Sequence, residues 1–338
     1  MTDHPGNKGI IMKILFCGES FPEARTRLAT LLPEDAILAF PPDRLGVHIA
    51  EADVIVPLVT RVDEELIRQG TFGLIQQYGV GLESVDIVAA TRNGVRVARI
   101  PSEESGNAAS VAEHALLLML MLSRRWNVIA RNRELGSKVP WGSPTGQALA
   151  GKTVCVVGLG GVGREVVRRL GSFKVRIITV DDHPGRTVPG VEIARTYSLA
   201  GLREALPEAD YVALCINYTP DRYHLIGSRE IAAMKKGVFI VNVARGGLLD
   251  PDALLSALRT GHVAGAGLDV YWEEPVDMNH PLFSENVIAT PHIAGVTDVS
   301  YEGIARAFAE NMKRYAAGDT PLYLVNSPAF LRRERPRD

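Results

Sequence analysis

The stretch VCVVGLGGVGREVVRRL, Val154 to Leu170, constrains the fold of this chain more than any other. An apolar run of strand length passes through Gly158-x-Gly160-x-x-Gly163 and continues directly into a helical pattern. Each glycine has its own task. Gly158 permits the tight turn, Gly160 lets the main chain approach a pyrophosphate, and Gly163 lets helix pack closely on strand. The helix start then offers free N–H groups and the positive end of its dipole to phosphates. In RIITVDDHP, Asp181 follows 18 residues past Gly163, close to the spacing of about 20 expected of an acid that binds ribose. The context therefore points to a dinucleotide, and to NAD in particular. A carboxylate at Asp181 accepts from a ribose 2′-OH and repels a 2′-phosphate; Asp182 adds to that repulsion, while Arg186 works against it.

Strand-like runs alternate with helical patterns along the whole chain, which predicts parallel sheets wrapped in helices. In the first half, the strand-like runs KILFCG, DVIVPLV, LIQQYG and VRVARIP alternate with helices near Glu23 to Leu32, Asp63 to Gln69 and Val85 to Arg92. Ser110 to Arg125 is apolar on nearly every face and predicts a buried helix. Gly136 to Lys152, rich in Gly, Pro and Ser, reads as a loop or linker. Strands are then expected at Thr153 to Val157, Val175 to Val180, Tyr211 to Cys215, Val238 to Val243, Val263 to Leu268 and Val287 to Ala289. Helices are expected at Gly161 to Leu170, Asp252 to Thr260 and Asp298 to Ala316. At 338 residues, two domains of ordinary size are expected.

Composition removes several function classes. With 37 Lys+Arg against 39 Asp+Glu, the formal charge of −2 leaves no basic surplus for nucleic acid. The basic run Leu331 to Asp338 reads as a solvated terminus. Cys17, Cys155 and Cys215 lie far apart in apolar runs without a C-x-x-C pattern, so free buried thiols are expected. The first residues lack a sustained apolar region, arguing against a signal peptide. The longest apolar run, Ala115 to Leu122, is too short to span a bilayer. No metal-ligand spacing such as H-E-x-x-H is present, and a cytoplasmic location is expected.

Three further residues carry chemistry. In VNVARGGLLD, Arg245 stands between apolar residues and two glycines, and burying its permanent charge unpaired would cost several kcal/mol. Glu274 in GLDVYWEEP and His292 in TPHIAGVT also follow predicted strands, on the side where ligands bind in open α/β sheets. Singly, each has a plain structural reading: a capped turn, an exposed acid, a loop histidine. Together with the glycine turn they suit hydride transfer to a 2-oxo acid. The arginine binds the carboxylate and polarises the carbonyl, the histidine supplies the proton, and the glutamate orients and favours the protonated imidazole. His114, His183, His224, His262 and His280 read as structural.

GLGGVG, VNVARGGLLD, GLDVYWEEP and PHIAGVT, in this order and spacing, resemble the D-isomer-specific 2-hydroxyacid dehydrogenases. YGVGLESVDIVAATRNGVRVARIP and SVAEHALLLMLMLSRR extend the resemblance over about Met12 to Leu324. It implies an α/β fold of two doubly wound parallel-sheet domains: a Rossmann NAD-binding domain, residues 106–295, inserted in a discontinuous flavodoxin-like substrate domain, 1–105 and 296–338. It also implies catalysis by Arg245, Glu274 and His292, with Tyr78 near the substrate and the amides of Val80 and Gly81 on its carboxylate. The amides of Gly161 and Val162 would meet the pyrophosphate and Asp269 the nicotinamide carboxamide, with further cofactor contacts at Asn217, Ala244 and His292. Members are commonly homodimers through the segment that here runs from Ser110 to Trp141.

Two departures from the family pattern stand out. CINYTP places Asn217 where many relatives have Pro, and Pro57-Leu58-Val59 stands where phosphoglycerate dehydrogenases carry an Arg-Ser-Arg triplet. A phosphate needs Arg, Lys or a helix start to replace its hydration, so a small unphosphorylated acid of the glyoxylate or hydroxypyruvate kind is expected. Arg61 nearby keeps D-3-phosphoglycerate open as the alternative. A corepressor-like NAD(H) sensor is the reading from another class, without an interaction tail here to favour it. Formate-dehydrogenase-like chemistry fits less well, because Glu274 stands where that branch has Gln.

Overall fold

The computed structural model describes residues 12–332. The chain start and most of the basic C-terminal run lie outside the described residues. In chain order the strands and α-helices are β1 (Lys13–Phe16), α1 (Pro22–Leu31), β2 (Ala36–Ala39), α2 (Gly46–Glu51), β3 (Val54–Val56), α3 (Glu64–Gln69), β4 (Leu74–Gln76), α4 (Ile87–Arg92), β5 (Arg96–Ala98), α5 (Asn107–Ser123) and α6 (Trp126–Glu134). They continue with β6 (Thr153–Val157), α7 (Gly161–Leu170), β7 (Arg176–Asp181), β8 (Arg195–Ser198), α8 (Leu202–Ala205), β9 (Tyr211–Leu214), α9 (Ser228–Ala233), β10 (Val238–Asn242), α10 (Pro251–Arg259), β11 (Val263–Leu268), β12 (Val287–Ala289) and α11 (Asp298–Ala316). Two compact units result: Met1–Asn107 with Asp298–Asp338, and Ala108–Thr297.

The first unit holds a parallel sheet in the order β2-β1-β3-β4-β5, the doubly wound pattern of flavodoxin-like folds. β3, β4 and β5 are buried at every residue, as strands covered on both faces must be. One face packs on α11 through Phe16, Phe308, Met312 and Tyr315. The other is covered by Ile49, Ile67, Phe72 and Ala89. α3 and α4 start where Asp63 and Asp86 accept the Leu66 and Ala89 N–H groups, capping otherwise unbonded donors.

The second unit holds seven parallel strands in the order β12-β11-β10-β9-β6-β7-β8, a Rossmann sheet. α5 supplies Ala112, Ala115, Leu118, Met119 and Leu122 to one face, beside Val166, Val167 and Leu170 of α7. The chain reverses direction across the sheet between β6 and β9, so the loops after these two strands mark the ligand crevice.

Several elements differ from the sequence-based expectations. β2 and β8 were not foreseen, and each is the outer strand of its sheet. An outer strand has one neighbour and a wetter surface: RTYS carries little apolar signal, and AILA, apolar throughout but only half-buried, shows no alternation. α6 buries no residue and therefore shows no apolar stripe. α2, α8 and α9, at four to six residues, were not foreseen either; α3 and α4 are as short, but each has an Asp cap to mark its start. The helix expected from Ser110 to Arg125 runs from Asn107 to Ser123. Residues 136–152 contain neither helix nor strand.

Candidate active site

The glycine turn has the geometry that a dinucleotide requires. Gly158 adopts φ +95°, and a Cβ there would lie 2.5 Å from the Ile216 Cα in the loop after β9. A Cβ on Gly163 would lie 1.9 Å from the Gly158 carbonyl oxygen, so helix and turn touch as main chain. Gly160 has no heavy atom within 4 Å of its Cβ position, which is the open approach a pyrophosphate needs. Gly160 caps α7 without a side-chain hydrogen bond, and the first N–H groups of the helix, at Gly161 and Val162, have no acceptor within it. This cradle fits the diphosphate of a dinucleotide.

Asp181 ends β7 at 5% exposure. Leu159 N–H donates to its Oδ2 at 2.6 Å, tying the acid to the glycine turn. His183 N–H donates to Oδ1 at 2.8 Å, and Arg186 Nη1 stands 3.4 Å from the same oxygen. Each oxygen keeps a lone pair for a ribose hydroxyl. Asp182 does not face the crevice as a bare charge: Arg222 Nη2 donates to its Oδ2 at 2.6 Å. Asn217, exposed after β9, accepts from Arg222 Nη1 through its carbonyl at 2.9 Å and its Oδ1 at 2.6 Å.

Arg245 leaves the end of β10 half-buried. Asn242, 1% exposed, shapes its turn: Oδ1 accepts the Ala244 N–H at 3.1 Å and Nδ2 donates to the Arg245 carbonyl at 2.9 Å. Arg245 Nη1 donates to the Ala244 carbonyl at 2.7 Å. The next residue, Gly246, lies against the main chain of Tyr271 and Trp272, which joins this turn to the one bearing Glu274.

His292 Nδ1 stands 2.7 Å from Glu274 Oε2. Oε1 of the same carboxylate accepts the Tyr271 N–H at 3.0 Å. Burial pushes the Glu274 pKa up, but the His292 contact, the Tyr271 N–H and the Arg245 charge outweigh it and hold it below the usual carboxylate value. His292 itself sits at φ +53°, a left-handed conformation uncommon outside glycine. What holds it there is Asp269, 1% exposed at the end of β11. Its Oδ1 accepts the Ile293 N–H at 2.9 Å and the Thr290 hydroxyl at 2.7 Å, its Oδ2 accepts the Ala294 N–H at 2.9 Å, and its carbonyl accepts the His292 N–H at 2.8 Å. His114 of α5 completes the arrangement, with Nε2 2.9 Å from the Thr290 Oγ1.

Asp269 therefore braces the histidine turn, a task the sequence reading did not give it beside the nicotinamide contact. Thr290, Asn242, Gly246 and Arg222 were missed, and His114 was read as structural. A polar residue closing a buried strand, as Asn242 does in VFIVN, was the one available signal.

In the first unit, Tyr78 packs its ring against Phe16 and Phe308, and its buried hydroxyl has no hydrogen-bond partner. Gln77 holds the following loop, donating to Leu58 O at 2.9 Å and Gly81 O at 2.6 Å. Among the described residues, the amides of Val80 and Gly81 have no protein acceptor. Arg61 is 86% exposed and 3.8 Å from Asp63.

Residues 116–294 match the profile of the D-isomer specific 2-hydroxyacid dehydrogenase, NAD binding domain. Glyoxylate reductase of Thermococcus litoralis is 35% identical over 288 residues, which cover 82% of this chain and 85% of that protein. This chain belongs to the D-isomer specific 2-hydroxyacid dehydrogenases. D-3-phosphoglycerate dehydrogenase of Methanocaldococcus jannaschii is 36% identical over 287 residues, 83% of this chain and 53% of that protein. The crystal structure of the TT0316 protein from Thermus thermophilus superposes with a TM-score of 0.81 at 31% identity, covering 93% of this chain and all of that one. As a 2-hydroxyacid dehydrogenase the chain is an NAD-dependent oxidoreductase, moving hydride between the nicotinamide and a small 2-oxo or 2-hydroxy acid. No helix among the described residues is long and apolar enough to cross a membrane.

Proposed function

We propose that this dehydrogenase reduces a small, unphosphorylated 2-oxo acid of the glyoxylate or hydroxypyruvate kind to the D-2-hydroxy acid. The observation that carries the chemistry is the 2.7 Å contact between His292 Nδ1 and Glu274 Oε2. With Nδ1 held by the carboxylate, Nε2 carries the transferable proton, and His292 delivers it to the carbonyl oxygen as that oxygen gains charge. Arg245 polarises the carbonyl and binds the carboxylate. In the first unit, the unbonded amides of Val80 and Gly81 also suit a carboxylate. The bound nicotinamide supplies the hydride. Gly160 and the amides of Gly161 and Val162 hold its diphosphate on the turn that Gly158 and Gly163 shape, and Asp181 holds its adenosine ribose, with Asn217 and Ala244 lining the crevice.

The substrate assignment is supported by Pro57, Leu58 and Val59, whose side chains offer no donor to a phosphate, and by Arg61, which points to Asp63. The glyoxylate reductase relative agrees with it; the phosphoglycerate dehydrogenase relative keeps 3-phosphohydroxypyruvate as the second reading. Steady-state kinetics on glyoxylate, hydroxypyruvate and 3-phosphohydroxypyruvate decide between them. A kcat/KM highest for the phosphorylated acid, and lost in Arg61→Ala, overturns the proposal.

We further assign a cytoplasmic homodimer. α6 buries nothing, and Trp126, Leu135 and Trp141 are exposed along the segment through which the family resemblance implies pairing. The thiols suit a reducing compartment: Cys17, Cys155 and Cys215 are unpaired, and burial pushes each up to about 12. Sedimentation of the full chain tests the dimer.

A further inference from the structure

Arg222 is the most heavily engaged cation beside the ribose acid, and the reaction gives it no role. It ends the short turn Pro220–Arg222 in the loop after β9. Its side chain is 11% exposed, whereas that of Asp182 is 38% exposed. Nη1 donates to the carbonyl and side chain of Asn217, and Nη2 is held by Asp182 at 2.6 Å. Nε is buried and has no hydrogen-bond partner. A guanidinium with an unpaired buried donor has capacity for an anion with several oxygens.

The position gives that capacity a meaning. Asp182 directly follows the acid that meets the adenosine ribose, so the Arg222–Asp182 contact lies where a 2′-phosphate would project. The charges there balance: Asp181 faces Arg186 at 3.4 Å, and Asp182 faces Arg222. Exclusion of NADP(H) therefore cannot rest on a bare pair of negative charges. It rests on which partner holds each guanidinium.

We propose that Arg222 is a sequestered 2′-phosphate ligand, and that Asp182 enforces NAD(H) selectivity by occupying it. Asp182 acts on the phosphate through Arg222 and only secondarily through its own charge. This rests on the reading that the Gly158–Gly163 turn and Asp181 hold a nicotinamide dinucleotide.

The test is fluorescence titration of the full chain with NADH and NADPH, without substrate, in the wild type, Asp182→Asn, Arg222→Ala and the double variant. Asp182→Asn removes the charge that holds Nη2 and leaves only a neutral amide oxygen as its acceptor, and should raise NADPH affinity relative to NADH by about tenfold or more, the scale of a charge-assisted hydrogen bond. The double variant should lose that gain, and Asp182→Asn with Arg222→Lys should keep part of it. Melting temperatures separate these shifts from a loss of fold, because destabilisation alone does not favour one dinucleotide. A gain that persists in Asp182→Asn/Arg222→Ala overturns the proposal, showing that Asp182 acts by its own charge. An unchanged ratio in Asp182→Asn overturns it as well. Failure of the wild type to bind either dinucleotide overturns the cofactor reading itself.

Discussion

A Cβ placed on Gly246 would lie 1.8 Å from the carbonyl carbon of Tyr271 and 2.5 Å from the Trp272 nitrogen. The turn presenting Arg245 and the turn presenting Glu274 are thus in main-chain contact. Neither side can give, because the close atoms are backbone on both sides. Gly246→Ala should cost about 1–3 kcal/mol of stability by overpacking and push the two turns apart. Arg245 and Glu274 would then separate, so kcat/KM should fall more than the melting temperature alone explains. A variant with normal kinetics would show that the turns move independently.

His292→Ala should reduce kcat by about 10²–10⁴-fold, the usual contribution of a positioned general acid, while NADH affinity changes little. Arg245→Lys should also be severe, since a point charge cannot reproduce bidentate carboxylate binding. Pre-steady-state measurement with a good 2-oxo acid checks both. Retention of most wild-type kcat by His292→Ala would remove His292 from the reaction.

The Glu274 carboxyl has its pKa held below the usual carboxylate value by His292, Tyr271 and Arg245 against the opposing effect of burial. Glu274→Gln removes the charge that favours the imidazolium. The rate of 2-oxo acid reduction should therefore fall in the variant, with the larger loss in kcat, because Nδ1 of His292 loses the carboxylate that holds it at 2.7 Å. The stability that ionised Glu274 contributes is present above its unfolded pKa and is lost as pH falls through its depressed folded value, on the acid side only. A pH profile for Glu274→Gln that overlays the wild type would separate the pair from catalysis.

NADH should be preferred to NADPH by kcat/KM. Asp181 is fixed by the Leu159 and His183 N–H groups with lone pairs left for the ribose hydroxyls, and a 2′-phosphate there would meet a carboxylate. A clear preference for NADPH would show that Arg186 governs the site.

Much of this protein was legible in order along the chain. The Gly158–Gly163 turn, the strands through Val157, Val243 and Leu268, and the candidate chemistry of Arg245, Glu274 and His292 follow from local rules. A buried parallel strand must be apolar throughout, and a loop at its carboxyl end is where a charged residue can meet a ligand. β8 and α6 escaped because solvated elements leave no such signature, and β2 because its four apolar residues are too short a run to mark a strand by themselves. Tertiary structure alone decided which groups pair. Asp269, five residues before Glu274, accepts from the turn of His292 through Thr290, Ile293 and Ala294. Asp182 is neutralised by Arg222, 40 residues further along the chain. A sequence records where charges occur, but a charge acts through whatever lies a few ångströms away, and only the folded sheet brings those groups together.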